Sequence, residues 1–408
     1  MIIDLPNTST GAIAKKLVQL RNDVGAMTLG RVLTLVVVVD DQSADDVIEV
    51  ATEASRQHPS RIVVLVLGDK RGANRLDGQI RLGGDAGASE VVVLRLYGRL
   101  AGHGDSVVVP LLLPDSPVVA WWPRQAPADL RTDPIAALAS RRITDSAEAP
   151  RPGAFLKRLA QSYRAGDTDL AWTRITLWRG LLAAALDGPP YEQVTSAVVA
   201  GAPDSPSTDL LAGWLAWALR VPVTRVRTPH GSGIRSVRLE RPGGPIDLVR
   251  PGDYVATMTQ PGQPDRRISL RRRRDAECLA DELRRLDEDD TYADVLRKGL
   301  PELKTQRAAG SAAAPSVSEA RRRAERLRRN RSAQLAAAMI TAPPPPKTAS
   351  EAAVKKAAAT KLAGKKTARE KVVAKRSAPA SVAAATSRAE ATPRAKRAAK
   401  AARTESTS

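Results

Sequence analysis

Histidine and cysteine, two side chains that often carry out catalysis, are scarce in this sequence. It contains three histidines and one cysteine in 408 residues. No histidine has a second histidine or a glutamate at the spacing that places two metal ligands on one helical face, and no Gly-x-Ser-x-Gly motif occurs. His58, His103 and His230 each stand beside a glycine or proline in turn-like sequence, which indicates structural roles. The sequence therefore predicts no catalytic, metal or cofactor site.

A glycine-rich stretch is the best candidate for contact with a phosphate. Gly83, Gly84 and Gly87 follow Arg81 in the sequence RLGGDAGASE. A phosphate loop is followed by a helix whose amino terminus faces the anion, whereas this stretch is followed by the strand-like SEVVVLRLYG. We therefore predict a turn between two strands. The alternative is an enzyme acting on sugar phosphates through this loop and Arg81.

Two tryptophans and two arginines stand close together in residues 167–180 (DTDLAWTRITLWRG), called here the aromatic–arginine segment. The pattern predicts one helix over residues 168–186. Its apolar face would consist of Ala171, Ile175, Trp178 and Leu182. Trp and Arg side chains are enriched at protein interfaces because they combine a large contact area with directional hydrogen bonding.

The segment therefore has two interpretations. In the first it binds a partner protein, and the side chains expected to do so are Asp169, Trp172, Arg174, Trp178 and Arg179. In the second the tryptophans fill the core and the arginines pair with Asp167 or Asp169.

Trp121 and Trp122 raise the same question in the strand-like sequence PVVAWWP. Neighbouring residues of a strand point to opposite faces of the sheet. We therefore expect one of these rings to face away from the main core, and both are further candidates for partner binding.

A basic run occupies residues 267–277 (RISLRRRRDAE). We predict that it forms the solvated entry to a helix, with a phosphate site as the alternative. The acidic residues at 286–290 are available to neutralise it.

The periodicity predicts an α/β fold with two domains and a tail. Residues 1–150 form an N-terminal α/β domain with a partly parallel sheet, because two β-branched runs, 31–40 and 61–69, flank an amphipathic helix. Residues 151–305 form a mixed α+β domain, in which short strands separated by Gly and Pro turns suggest an antiparallel sheet.

Residues 306–408 form a low-complexity tail rich in Lys, Arg, Ala and Pro. From residue 307 onward there are 24 Lys and Arg against 6 Asp and Glu, and the whole chain carries +20, so the rest of the chain is nearly neutral. Without aromatic residues such a segment cannot bury enough apolar surface to fold, and we predict disorder. It could bind nucleic acid non-specifically, in which case binding falls steeply with salt. Truncation after Lys304 is expected to leave the unfolding temperature unchanged.

No apolar run is long enough to span a bilayer, and the amino terminus lacks the pattern of a secretion signal. We therefore expect a cytoplasmic protein without a membrane partner.

Seven stretches, taken together, resemble the OpcA family of glucose-6-phosphate dehydrogenase assembly proteins. They are GRVLTLVVVVDD, EASRQHPSRIVVLV, RLGGDAGASEVVVLRLYG, VVVPLLLPDSPVVAWWP, DTDLAWTRITLWRGLLA, STDLLAGWLAWAL and ECLADELRRLDEDDTYADVL, in order across residues 1–300. The resemblance implies an accessory protein, not an enzyme, that assembles or allosterically activates glucose-6-phosphate dehydrogenase at the entry of the oxidative pentose phosphate pathway.

Two features depart from this resemblance. The basic tail is outside the family pattern. Redox control by disulfide exchange, which the resemblance associates with photosynthetic relatives, requires paired thiols, and Cys278 alone could act only between molecules.

Overall fold

Two mixed β-sheets, formed one after the other along the chain, organise the fold. The computed structural model describes residues 1–24, 32–82 and 90–306. The glycine-rich loop with Gly83 and Gly87 lies outside the described residues, as does the basic tail from residue 307 onward.

The first sheet has eight strands. In chain order they are β1 (Ile2–Leu5), β2 (Thr34–Asp40), β3 (Arg61–Leu67), β4 (Arg75–Leu82), β5 (Glu90–Tyr97), β6 (Val118–Trp122), β7 (Arg141–Thr144) and β8 (Asp167–Asp169). Their order across the sheet is β1-β4-β5-β3-β2-β6-β7-β8. Neighbouring strands are parallel except β4, which runs antiparallel to β1 and β5. The predicted α/β fold with a partly parallel sheet is confirmed.

Both faces of this sheet are covered, which explains the uninterrupted apolar runs of its central strands. Along β2, Val36 packs in one apolar cluster with α1 (Thr10–Val24), and Val37 packs in another with α2 (Ala44–Ser55). Three further helices follow in chain order: α3 (Gly104–Val108), α4 (Pro134–Leu138) and α5 (Pro152–Ser162).

The second sheet has seven strands. They are β9 (Ser196–Gly201), β10 (Val223–Arg227), β11 (Ile234–Glu240), β12 (Ile246–Val249), β13 (Val255–Thr259), β14 (Arg266–Ser269) and β15 (Lys304–Gln306). Their order is β14-β13-β12-β11-β9-β10-β15. The expected antiparallel pairing holds for β11, β12 and β13 and is wrong for β10, which pairs in parallel with β9 and β15. Strands β9 and β14 pair antiparallel with β11 and β13. A helix between β9 and β10 allows their parallel pairing.

The single helix predicted over residues 168–186 is wrong. The chain there forms β8, then a short helix α6 (Leu170–Thr173), then α7 (Thr176–Leu186). The Asp169 side chain accepts a hydrogen bond from the Ala171 amide (2.9 Å) and so caps α6. Asp167 is extended at the sheet edge, where its side chain accepts hydrogen bonds from Arg142 and from the Arg164 amide.

The carboxyl-terminal part of the described chain returns to the first sheet. After the apolar helix α8 (Pro206–Leu219) and the second sheet, α9 (Asp275–Arg284) packs against α2, and α10 (Asp290–Asp294) follows. Leu279 and Leu283 of α9 belong to the same apolar cluster as Val37 of β2. The domain boundary at residue 150 stays a prediction, and the first sheet takes its last strand from beyond it.

The structure indicates that a truncation to remove the tail should come after Gln306 rather than after Lys304. Strand β15 pairs with β10, with Lys304 opposite Thr224. We expect a chain ending at Gln306 to unfold within about 2 °C of the full chain, because a 1 kcal/mol loss shifts a protein of this size by about 2–4 °C. A chain ending at Leu303 should unfold at a clearly lower temperature. Thermal unfolding of the three chains by circular dichroism checks this, and a large drop for the chain ending at Gln306 would show that the tail stabilises the fold.

Candidate functional site

The aromatic–arginine segment lies where the two sheets meet, and most of its side chains are buried. Trp172 is 1% exposed, and its Nε1 donates a hydrogen bond to Asp289 Oδ2 (2.7 Å). Trp178 is also buried, while Arg179 is partly exposed and places its guanidinium 3.7 Å from the centre of the Trp172 ring. The structure thus matches the interpretation in which the tryptophans fill the core.

Trp121 and Trp122 are buried on opposite faces of the first sheet. Trp122 packs in the cluster that includes Val36, and Trp121 packs in the cluster that includes Val37. The two rings thus point to opposite faces, as expected, and both are buried because helices cover both faces. Partner binding by the seven candidate residues stays a prediction, and among them Arg179 has the most exposed side chain.

The core interpretation expected Arg174 to pair with Asp167 or Asp169. Arg174 pairs instead with two other carboxylates. Its Nη1 and Nη2 donate to the two carboxylate oxygens of Asp145 (2.8 and 2.5 Å), and Nη2 also donates to Asp275 (2.7 Å). Arg174 is therefore a buried cation fully matched by carboxylates, and it ties the end of β7 to the start of α9.

Asp169 is completely buried and accepts four hydrogen bonds. They come from Thr144 Oγ1 (2.6 Å), the Ser146 amide (2.9 Å), Ser146 Oγ (2.8 Å) and the Ala171 amide. Burial and the nearby charge of Asp145 nevertheless raise the pKa of Asp169 to about 6. The residue has a structural role in joining β7, β8 and α6.

A cavity of about 210 Å³ lies beside this segment and is rich in arginine. Its arginines are Arg174, Arg250, Arg271, Arg272 and Arg273, and we call it the arginine pocket. Ile175 and Trp178 form part of its wall, together with the amino terminus of α8 at Ser205 and the loop at Gly231 and Gly233. The pocket therefore lies among six chain segments: the turn after β7, the α6–α7 junction, the start of α8, the β10–β11 loop, the end of β12 and the chain before α9.

Sequence reasoning found this pocket only in part. The basic run at 267–277 supplies its outer arginines, and a phosphate site was the alternative interpretation of that run. Arg250 was missed, because it follows β12 in an ordinary RPGD turn and no sequence pattern places it beside the basic run.

The pocket is suited to binding an anion more than to catalysis. Guanidinium groups stay protonated at neutral pH and so do not act as general bases. Asp204 lines the pocket, and its Oδ2 lies 3.5 Å from Nδ1 of His230, a residue on an exposed loop. Within the described ranges no group of three or more metal-ligating side chains occurs, and no helix is long and apolar enough to cross a membrane.

Cys278 is buried in α9, and burial raises the pKa of its thiol to about 12. Because the thiolate is the reactive form, we expect native protein to react negligibly with a thiol reagent such as DTNB, whereas the denatured chain should release one equivalent for its single cysteine. Rapid labelling of the native protein would contradict this expectation. The intermolecular redox role considered from the sequence requires an exposed thiol, which this position does not provide.

The strands that flank the glycine-rich loop are antiparallel neighbours, with Leu82 of β4 opposite Glu90 of β5. This pairing agrees with a turn between two strands. The loop itself lies outside the described residues, so its contact with a phosphate stays untested.

Two family models match consecutive parts of the chain. Residues 51–161 match the model described as the glucose-6-phosphate dehydrogenase subunit N-terminal domain, and residues 165–296 match that of the C-terminal domain of the same subunit. Both models are of the OpcA family, and together they cover more than half of the chain. No curated protein matches the sequence.

Among solved structures, the chain is similar to OtsA in its apo form, with 10% identity and a TM-score of 0.21. It is also similar to the E. coli structure described as trehalose-6-phosphate bound with UDP-2-fluoro glucose, with 10% identity and a TM-score of 0.20. Each match covers 48% of this chain and 65% of the other, which is less than two thirds of those proteins. Similarity at this level carries no information about function.

Proposed function

Because the chain belongs to the OpcA family of glucose-6-phosphate dehydrogenase assembly proteins, we propose that it is a non-catalytic accessory protein of that enzyme. It binds glucose-6-phosphate dehydrogenase in the cytoplasm and promotes its assembly or its allosteric activation. The observation that carries this proposal is the order of the two family domains, which follow one another without a further domain between them.

The chemistry of the arginine pocket supports a binding role. Its charged side chains are mainly arginines, which recognise anions and do not transfer protons at neutral pH. The carboxylates at its edge are already engaged: Glu148 pairs with Arg124, and Asp204 accepts a hydrogen bond from the Gly231 amide.

The test uses the purified protein and the purified dehydrogenase of the same cell. Alone, the protein is expected to turn over no glucose 6-phosphate. Mixed with the enzyme, it should form a complex in size-exclusion chromatography and raise kcat/KM for glucose 6-phosphate. Dehydrogenase activity of the protein alone, or the absence of a complex at micromolar concentrations, would overturn the proposal.

If the protein acts by allosteric activation of the dehydrogenase, a further condition must hold. An activator that increases substrate affinity about 10-fold has a coupling free energy of about 1.4 kcal/mol, and the substrate must then strengthen the protein–enzyme complex by the same factor. Titrating the complex with and without saturating glucose 6-phosphate measures this factor. An unchanged dissociation constant would favour assembly over control of substrate affinity.

A further inference from the structure

Among the buried arginines of the described residues, Arg250 differs from the others in having no carboxylate within ion-pair distance. The described residues bury seven arginines, namely Arg61, Arg141, Arg142, Arg174, Arg225, Arg241 and Arg250. The first six each lie within ion-pair distance of a carboxylate. Arg250 forms no ion pair with any residue of the described ranges, although it is only 5% exposed.

Neutral groups hold the Arg250 side chain in place. Its Nη1 donates to the Leu270 carbonyl (3.0 Å) and its Nη2 donates to the Ile234 carbonyl (3.0 Å). Its guanidinium lies 5.2 Å from the centre of the Trp178 ring, and its Nε is buried without an acceptor among the described residues. Removing a cation from water is unfavourable unless an anion compensates for it. Burial lowers the pKa of Arg250. The charge of Asp253, which lies beyond ion-pair distance, opposes this effect, and the charges of Arg235 and Arg272 act in the same direction as burial.

A second cation of the pocket, Arg272, is exposed to solvent. Arg271 pairs with Glu277 (2.5 Å), and Arg273 pairs with Asp281 (2.6 Å). Arg272, between them, is exposed and has no carboxylate within ion-pair distance in the described part of the chain. Arg250 inside the pocket and Arg272 at its entrance are thus two positive charges available to one ligand.

The amino terminus of helix α8 also lines the pocket. The 14-residue helix α8 begins at Pro206, with Ser205 as its N-cap, and the Ser205 side chain makes no capping hydrogen bond. Pro206 has no N–H, and the Thr208 amide donates to the Ser205 carbonyl (3.0 Å), which leaves the Ser207 amide as the first-turn donor. The helix dipole also favours an anion at this end. The loop that contains Gly233 also lines the pocket, and the φ of Gly233, +56°, lies in the left-handed region that favours glycine.

We propose that the arginine pocket binds the phosphoryl group of a small phosphorylated metabolite, through Arg250, Arg272 and the amino terminus of α8. A doubly charged phosphoryl group matches the two cations, and guanidinium groups bind phosphate oxygens with strong, charge-assisted hydrogen bonds. The volume of about 210 Å³ is smaller than that of sites for drug-sized ligands, which range from about 300 to 1,000 Å³. It therefore suits a phosphoryl group with a few carbon atoms, or free phosphate, better than a nucleotide. This site does not depend on the proposed accessory function.

The test is a titration of the full chain alone, without the dehydrogenase, by isothermal calorimetry. The probes are inorganic phosphate and glycerol 3-phosphate, with glycerol as the uncharged control. We expect both anions to bind with dissociation constants below about 10 mM and glycerol not to bind. Tighter binding of glycerol 3-phosphate identifies a phosphorylated metabolite as the ligand, and tighter binding of phosphate identifies the free ion.

Three variants locate the binding. Arg250→Met should weaken binding about 10-fold or more, and Arg272→Ala should weaken it several-fold, as expected for charge-assisted hydrogen bonds to phosphate. Arg267→Ala removes an exposed arginine of β14 that does not line the pocket, so it controls for the general positive charge of the chain and should bind like the native protein.

Two results would overturn the proposal. One is the absence of binding by the folded native protein at about 10 mM of either anion. The other is binding that Arg250→Met and Arg272→Ala leave unchanged, which would place the anions elsewhere on the chain. Because Arg272 is exposed, its variant should fold normally, and the site remains testable even if Arg250→Met does not fold. Because the dehydrogenase is absent, failure here leaves the accessory function untouched.

Discussion

Replacing Arg174 with methionine is expected to lower the free energy of unfolding by about 3–5 kcal/mol. The native guanidinium is 7% exposed and binds both oxygens of Asp145 as well as one oxygen of Asp275. Methionine fills similar space but leaves the carboxylate of Asp145, which is 2% exposed, without its cation. The adjacent buried carboxylate of Asp169 makes that uncompensated charge still less favourable.

Urea unfolding at neutral pH measures this loss. Arg131→Met is the matched control, because Arg131 pairs with Asp129 on the surface, where such pairs contribute little. Its free energy of unfolding should stay close to that of the native protein. A loss for Arg174→Met no greater than that of the control would show that the buried pair does not stabilise the fold.

The double variant Arg174→Met, Asp145→Asn tests whether the loss of stability comes from the unpaired charge of Asp145. With both charges removed, no uncompensated ion remains buried, so part of the stability lost in the single variant should return. If the double variant is no more stable than Arg174→Met, hydrogen bonds of Asp145 other than those to Arg174 account for the loss.

Local sequence determines the centre of the first sheet and could therefore predict it. The amphipathic helix α2 lies between the β-branched runs of β2 and β3. Together these three elements favour one arrangement, a parallel β-α-β unit.

Pairings between distant residues determine the parts that prediction missed. Strand β8 is three polar residues, and nothing in the sequence around Asp167 shows that Arg142 holds it at the sheet edge. Likewise, Asp275 lies 101 residues from Arg174 in the sequence, and Glu282 lies 141 residues from its partner Arg141. Such contacts depend on how α9 returns to α2, which periodicity does not specify.

The arginine pocket illustrates the same limit. The basic run before α9 is visible in the sequence, and it indicates only that positive charge is present. What distinguishes the pocket is that Arg250 is buried with no carboxylate of the described ranges within ion-pair distance, a property of the folded chain. Single-sequence reasoning can propose such a run as a phosphate site but cannot rank it above a solvated surface.

The second large effect is expected at Trp172. Trp172→Ala should lower the free energy of unfolding by about 3–5 kcal/mol, because it leaves a cavity in the core that the surroundings fill only partly. It also removes the indole hydrogen bond to Asp289 and the contact with Tyr292, whose ring centre lies 5.5 Å away. Trp172→Phe retains most of the ring and should lose less, largely the hydrogen bond at about 1–2 kcal/mol.

Leu177→Ala is the control for this experiment, since Leu177 lies on the neighbouring helix α7 and is 47% exposed. It should leave stability nearly unchanged. Arg179→Ala removes the cation that lies on the Trp172 ring and should lose about 1 kcal/mol, the usual size of such a contact.

Urea unfolding and the affinity for the dehydrogenase should be measured on all four variants. If Trp172→Ala keeps native stability but binds the enzyme about 30-fold more weakly, a change of about 2 kcal/mol, the ring is an interface anchor and its burial in the core is contradicted. If Arg179→Ala alone weakens binding by that amount, the segment contacts the enzyme through its partly exposed arginine while its tryptophans hold the two sheets together.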